Sequence, residues 1–199
     1  MPEFSFVVTA TLAEPTLDAP VEERSHELLL PMELLEVNTE VPEGTIVTAI
    51  SHPWMAIFEQ LQSQPDLLFE FAKSPRVFEE LIAASYNKAG FKVTLTSRSN
   101  DGGKDVIAEK TGFGAIRILD QCKAFRQGSK VSADDVRAMM GTMTLNRNTS
   151  KAIVSTTSVF APGVWTEWES YMPFRLELRE GKDIFEWLRS LEGPEDECS

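Results

Sequence analysis

The stretch from Asn100 to Phe125 restricts the fold more than any other part of the chain. Gly102-Gly103 sets a tight turn, because glycine tolerates positive φ. Val106-Ile107-Ala108 follows, a short, apolar, β-prone run. Lys110-Thr111-Gly112-Phe113-Gly114 then carries two glycines and is long enough to reverse the chain. The run from Ala115 to Phe125 completes a predicted hairpin. On it, Gln121 and Lys123 are two residues apart. Side chains alternate faces along a strand, so these two point the same way, roughly 6–7 Å apart. Asp105, at the start of the neighbouring strand, falls beside them. The cluster offers a carboxylate from Asp105, an amide oxygen from Gln121, the backbone carbonyl of Cys122 and an ammonium from Lys123. Mg²⁺ takes oxygen ligands of this kind and keeps several waters. A bound metal acidifies water and stabilises charge on a phosphate. Lys123 is placed to orient or deprotonate that water, or to neutralise the charge that develops. The set suits phosphodiester hydrolysis.

The flanking sequence predicts helices and strands in an order that closes a sheet around this hairpin. Residues 51–73 read as helical: Ser51 is a candidate cap, Trp54, Ile57, Phe58 and Leu61 fall at helical spacing, and Pro65 starts a second short helix. Ser74 and Pro75 open a longer helix with Phe78, Leu81, Ile82, Ser85 and Ala89 on one face, ended by Gly90. At about 100° per residue Glu79 lies on the flank of that face near Tyr86, while Glu80 points away. Phe91 to Thr96 alternates as a strand. Beyond the hairpin, Ser132 and Asp135 form a predicted capping box for a helix reaching Asn146, with Val136, Met139, Met140 and Met143 inward. Lys151 to Ser155 reads as a buried strand, Val164 to Ser170 as a short helix, and Phe174 to Arg179 as a strand. Asp183 is read as the cap of a last helix through Leu188. The first three strands can meander antiparallel, and helical crossovers then add strands on the other side.

This pattern resembles the Mrr-type restriction endonuclease catalytic domain of the PD-(D/E)xK nuclease superfamily. The resemblance is carried by Phe78-Glu79, Gly90-Phe91, Asp101-Gly102-Gly103-Lys104-Asp105, Gln121-Cys122-Lys123, Val136-Arg137 with Gly141, and Ser155-Thr156-Thr157-Ser158. It runs from about Arg76 to Leu188. It implies an α/β fold, a restriction-endonuclease-like mixed central β-sheet flanked by helices. It also implies that Asp105 binds the metal, that Gln121 takes the acid-or-glutamine position, that Lys123 is the catalytic lysine, and that Glu79 reaches a metal-bound water. Gln121 in place of an acid removes one negative charge from the site. Mg²⁺ is the implied cofactor, with Mn²⁺ as the alternative. Host defence against modified foreign DNA is the implied setting.

Net charge at first argues against DNA, being -12 over 199 residues. Its distribution changes that picture. Residues 1–72 hold 13 acids and one base, Arg24, whereas residues 73–151 hold 14 bases against 8 acids. A local field, not the total, decides attraction to phosphate. Lys104, Arg117, Arg126, Lys130, Arg137 and Arg147 are the candidate DNA contacts. Residues 1–50 read as an acidic, β-rich extension with strands over Phe4–Ala10 and Thr45–Ile50, residues 51–191 as the nuclease unit, and residues 192–199 as an acidic tail. The extension is a candidate surface for a protein partner. With Cys122 and Cys198 the only cysteines and His26 and His52 the only histidines, neither a structural disulfide nor a zinc site is expected. No run approaches the roughly 20 apolar residues of a membrane span, and no secretory signal opens the sequence, so a cytoplasmic protein with no membrane partner is expected. Cutting both strands of DNA needs two sites, which makes a homodimer or larger assembly the expectation. Rival readings are a structure-selective nuclease such as a junction resolvase, a DNA- or protein-binding subunit of a defence complex without catalysis, and, more remotely, nucleophilic chemistry at Cys122.

Overall fold

The computed structural model describes residues 33–97 and 103–192. The strand predicted over Phe4–Ala10 lies outside them. Two strands come first, β1 (Leu35–Val41) and β2 (Gly44–Ala49), then α1 (Ser51–Ser63), a 3-10 segment (Pro65–Lys73) and α2 (Pro75–Lys88). Strands β3 (Lys92–Leu95), β4 (Val106–Lys110) and β5 (Ile116–Lys123) follow, with β6 (Lys130–Val131) and α3 (Ala133–Leu145) after them. The chain continues through β7 (Lys151–Thr156), β8 (Val159–Phe160), α4 (Pro162–Trp168), β9 (Leu176–Arg179) and α5 (Gly181–Ser190).

Seven strands form one mixed sheet in the order β1-β2-β3-β4-β5-β7-β9. The first five are antiparallel neighbours. β7 joins β5 in parallel and β9 joins β7 in parallel, each after a helical crossover. β6 and β8 make a separate short parallel pair. The mixed sheet flanked by helices is therefore as the sequence implied. Strand β1 was not expected: its sequence, Leu-Glu-Val-Asn-Thr-Glu-Val, is mostly exposed and bears acids, so no buried face announces it. It pairs with β2 and widens the sheet on the β3 side. Leu34, just before it, is buried in the same core as Val47 of β2 and Trp54 of α1.

Both faces of the sheet are covered, and the alternation of the strands shows which residue goes where. Val106 and Ala108 of β4 and Ile118 of β5 pack with α1, α2 and α5 in one core. Ile107 and Leu119 pack with Val136, Met139, Met140 and Met143 of α3 in the other, so the methionines are core residues as predicted. The indole N–H of buried Trp54 donates to Ser85 Oγ at 3.1 Å, tying α1 to α2. The capping box at Ser132 and Asp135 forms as read from the sequence. Three caps do not. Ser51 is inside α1, whose N-cap is Ile50; Ser74 stands at the N-cap of α2 with no side-chain cap bond; and Glu180, not Asp183, is the N-cap of α5, with Asp183 as its N3 partner. Proline at the start of α2 sets the helical φ without such a bond. No described helix is long and apolar enough to cross a membrane.

Candidate active site

Asp105 is the last residue before β4, and its main chain is held from both sides. Its N–H donates to the Asp120 carbonyl at 2.9 Å, and its carbonyl accepts from the Thr96 N–H at 3.0 Å. Val106 pairs with Asp120, so one step further along the antiparallel register sets Asp105 opposite Gln121. The β4 ladder stops there, and the next N–H of β5 needs another acceptor. Asp105 Oδ2 supplies it, accepting from the Cys122 N–H at 2.7 Å. The carboxylate is thereby fixed at the mouth of the hairpin by a charge-assisted bond. Gly103 makes the turn that delivers it. Its φ is +79°, and a Cβ there would stand 3.0 Å from Thr142 Oγ1 of α3.

Gln121 and Lys123 leave β5 on the α3 face, as their parity with Leu119 requires. The Gln121 Oε1 atom is buried and has no hydrogen-bond partner among the described residues. A buried acceptor left unpaired costs roughly 1–3 kcal/mol. Lys123 Nζ lies 3.0 Å from Asp135 Oδ1 at the start of α3, both side chains about a quarter exposed. Burial pushes the Asp135 carboxyl up, but hydrogen bonds from Ser132 and the Lys123 ammonium outweigh it and hold the group below its ordinary value.

Glu79 stands on the other side of the sheet end. It lines one cleft with Asp105, Arg76, Lys73, Thr96 and Ser97, and Gln121 and Lys123 are not part of that lining. Arg76 Nη1 donates to Glu79 Oε2 at 2.7 Å and to the Thr96 carbonyl at 2.9 Å. The structure thus sets Gln121 and Lys123 on the α3 side of β5 and brings Asp105 and Glu79 into one cleft, with Asp105 reaching Gln121 only through the strand register. Cys122 points toward α2. Burial, then the charges of Asp120, Asp105 and Glu79, push its thiol well above the ordinary cysteine value, against the opposing pull of Arg76. A thiol so held stays protonated at neutral pH and is a poor nucleophile.

The candidate DNA contacts divide by position. Arg126 and Lys130 are exposed just beyond the end of β5, and Lys104 sits in the turn before Asp105. Arg117 lies at the far end of β5, its guanidinium taken up by Glu43 and Glu109. Arg137 is held by Asp134 and by both oxygens of Glu167. Arg147 follows the C-terminus of α3, at the end away from Lys123. For Arg117 and Arg137, pairing through the fold fills donors that a sequence reading leaves open.

Two residues at the site went unread in the sequence. Arg76 is three positions before Glu79 on a helix, a spacing that signals an ion pair. Asp135 was read only as a helix cap, and nothing local says that its second oxygen meets Lys123.

Among the described residues no group of three or more His, Cys, Asp or Glu side chains converges as a metal site. The donor set here is instead mixed, one carboxylate and one amide oxygen. The orphaned Gln121 Oε1 beside the Asp105 position fits a hard cation, which would satisfy it.

The restriction endonuclease family model Mrr_cat matches residues 72–188, more than half of the chain. No curated protein matches. Among solved structures, the DNA modification-dependent restriction endonuclease AspBHI is similar over 80% of this chain and 40% of its own, at 19% identity and a TM-score of 0.50. The MspJI restriction endonuclease in complex with a 27-mer oligonucleotide is similar over 71% of this chain and 32% of its own, at 18% identity and a TM-score of 0.41. The chain therefore spans less than half the length of either structure. Its sheet, its helix order and the long family match agree, and the chain belongs to the Mrr-type restriction endonuclease catalytic domain family.

Proposed function

We propose that the chain is a divalent-metal-dependent endonuclease that hydrolyses DNA phosphodiester bonds in a restriction system directed at foreign DNA. The observation that carries this reading is the buried, unpartnered oxygen of Gln121 across the hairpin from the fixed Asp105 carboxylate, with Lys123 two residues on. Asp105, Gln121 and the Cys122 carbonyl would hold Mg²⁺, or Mn²⁺ in its place, with Glu79 reaching it through water. The metal would supply an acidified water and charge stabilisation at the phosphate. Lys123 presents its ammonium on the same face, where it orients the attacking water and offsets charge on the phosphate. Arg76 holds Glu79 against the strand end. Lys104, Arg126 and Lys130 contact the DNA backbone on the site's side.

Residues 51–191 form the nuclease unit in this reading. Residues 1–50 are an extension whose described strands widen the sheet and whose acids suit a protein partner, and residues 192–199 are a tail. Two copies act together on duplex DNA, in the cytoplasm. The AspBHI structure is more than twice as long as the matched region, which supports target selection by a part outside the nuclease unit or by a partner. The AspBHI enzyme's dependence on DNA modification motivates methylated DNA as the first substrate to try.

A second reading has a specific observation behind it. Glutamine stands where an acid would add charge, and no three-acid cluster is gathered among the described residues. On that reading the chain binds DNA for a defence complex and cuts nothing. Incubation with methylated and unmethylated plasmids, with and without Mg²⁺, separates the two. The nuclease reading predicts Mg²⁺-dependent nicking or linearisation that Lys123→Ala abolishes. DNA retention without cleavage under every condition supports the binding reading.

A further inference from the structure

We propose that Asp135 is the positioning residue for Lys123, and that the N-terminus of α3 is the element that aims the site's ammonium. The inference rests on the nuclease reading above and names a residue that reading does not contain. Asp135 is the third residue of α3, and its two oxygens are engaged separately. Oδ2 accepts from the Ser132 N–H at 3.0 Å and from the Ser132 hydroxyl at 2.7 Å. Oδ1 meets Lys123 Nζ at 3.0 Å. Ser132 Oγ in turn accepts from the Asp135 N–H at 3.3 Å, closing the capping box. The box fixes the plane of the carboxylate, so the oxygen left for Lys123 has a set direction. A lysine ammonium on a flexible four-carbon stem is otherwise free to sample many rotamers.

Electrostatics require the carboxylate there. The N-terminal end of a helix carries partial positive charge and repels a cation. The Asp135 carboxylate, 3.0 Å from Lys123 Nζ, offsets that repulsion. Asp134, the other acid in the first turn, is turned outward, largely exposed and paired with Arg137. Asp135 is therefore the acid that answers Lys123. A second contact shows that α3 backs this whole strand face. Thr142, two turns further along the helix, lies against Gly103, and the Gln121 amide lies against the same glycine. One helix stripe, Asp135 and Thr142, thus meets both the Lys123 ammonium and the turn before Asp105.

The ion pair is partly exposed, and such pairs add little to fold stability. Removing its charge is expected to leave the fold intact, which makes the test clean. Asp135→Asn keeps an oxygen for Ser132 and loses the charge facing Lys123. Ser132→Ala weakens the cap and keeps that charge. With full-length protein, Mg²⁺ and plasmid DNA under single-turnover conditions, Asp135→Asn is expected to slow cleavage roughly 10- to 100-fold. DNA affinity measured in EDTA should change less than about twofold, because positioning acts on the chemical step. Asp135→Glu should recover part of the rate. In ¹⁵N spectra the Lys123 ammonium signal, slowed in exchange by its partner, should vanish in Asp135→Asn and persist in Ser132→Ala. Adding Asp135→Asn to Lys123→Ala should cause no further loss. Wild-type cleavage by Asp135→Asn, a rate loss that only follows the thermal destabilisation seen with Ser132→Ala, or additive losses with Lys123→Ala would each overturn the assignment while leaving the nuclease reading standing. A wild-type chain that cuts no DNA overturns both.

Discussion

Asp120 and Gln121 are neighbours on β5 whose side chains leave the sheet on opposite faces. On the α2 side Asp120 is fully enclosed. Its Oδ2 accepts from the Tyr86 hydroxyl at 2.9 Å and from the Ser155 hydroxyl at 3.0 Å. Arg179 Nη1 donates to the Tyr86 oxygen at 3.3 Å, and its Nε donates to Glu177 at 2.6 Å. The Trp187 ring lies 4.5 Å from that guanidinium, closing the cluster from α5. On the α3 side Gln121 and Lys123 face a half-open strand end, both side chains partly exposed. The same strand therefore carries a fully enclosed polar network behind, in which Asp120 Oδ1 is also unpartnered, and a half-open one in front. The closed one joins α2, β5, β7 and β9. The half-open one is where the proposed cleavage would take place. Anchoring the rear of β5 fixes the strand from which the front residues project, and the Asp135 carboxylate then meets the Lys123 ammonium.

If the two faces differ as described, damage to each should read out differently. The largest effect is expected in front. Lys123→Ala and Asp105→Asn should each reduce cleavage on the order of 10³-fold or more, with melting temperature nearly unchanged. Plasmid assays and calorimetry on the same preparations check both halves of that statement.

Behind the strand the expected loss is of stability. Arg179→Met leaves the Asp120 charge without its buried cation, while Glu177 keeps Lys151, a change that costs about 3–5 kcal/mol in comparable buried pairs. Urea unfolding measures it, and a variant as stable as wild type would dissolve the distinction between the faces.

A smaller effect comes from pH. Burial pushes the Asp120 carboxyl up from 3.8 to about 6, outweighing the Arg179 charge and the bonds from Tyr86 and Ser155. A carboxyl raised in the folded state binds its proton more readily there than when unfolded. Its contribution is therefore full below about pH 4 and is lost as pH rises through about 6. Asp120→Asn removes that dependence. The stability of wild type relative to this variant should fall by on the order of 3 kcal/mol between pH 4 and pH 7. A pH-independent difference would contradict the raised value.

The smallest of these effects is that of Tyr86→Phe. It leaves Asp120 with one hydroxyl donor fewer and should cost about 1–3 kcal/mol. Activity per folded molecule should stay near wild type, since Glu79 on the same helix keeps its own partner in Arg76.

The front face was far more legible in sequence than the rear. Gly103, Asp105, Gln121 and Lys123 lie on one hairpin, where turn chemistry and strand parity fix their relation over short range. The Ser132 capping box is local in the same way. The rear network is not. Tyr86, Asp120, Ser155 and Arg179 come from four elements, and only the parallel crossovers of β7 and β9 bring them together. One signal was present: Asp120 interrupts the run Ile116 to Leu119 at a position whose parity points into the core, beside Ile118. An acid there demands partners, but the sequence does not say which. Strand β1 was illegible because its residues bury little, and Lys123's link to Asp135 because it joins a strand end to a helix start across a loop.

The proposed role of the front of β5 is to gather a divalent ion between Asp105 and Gln121. Calorimetric titration of the DNA-free protein with Mn²⁺ measures this. Saturable binding is expected, abolished by Asp105→Asn and weakened roughly tenfold or more by Gln121→Ala. A wild-type protein that takes up no Mn²⁺, or binding that both variants leave unchanged, would contradict it.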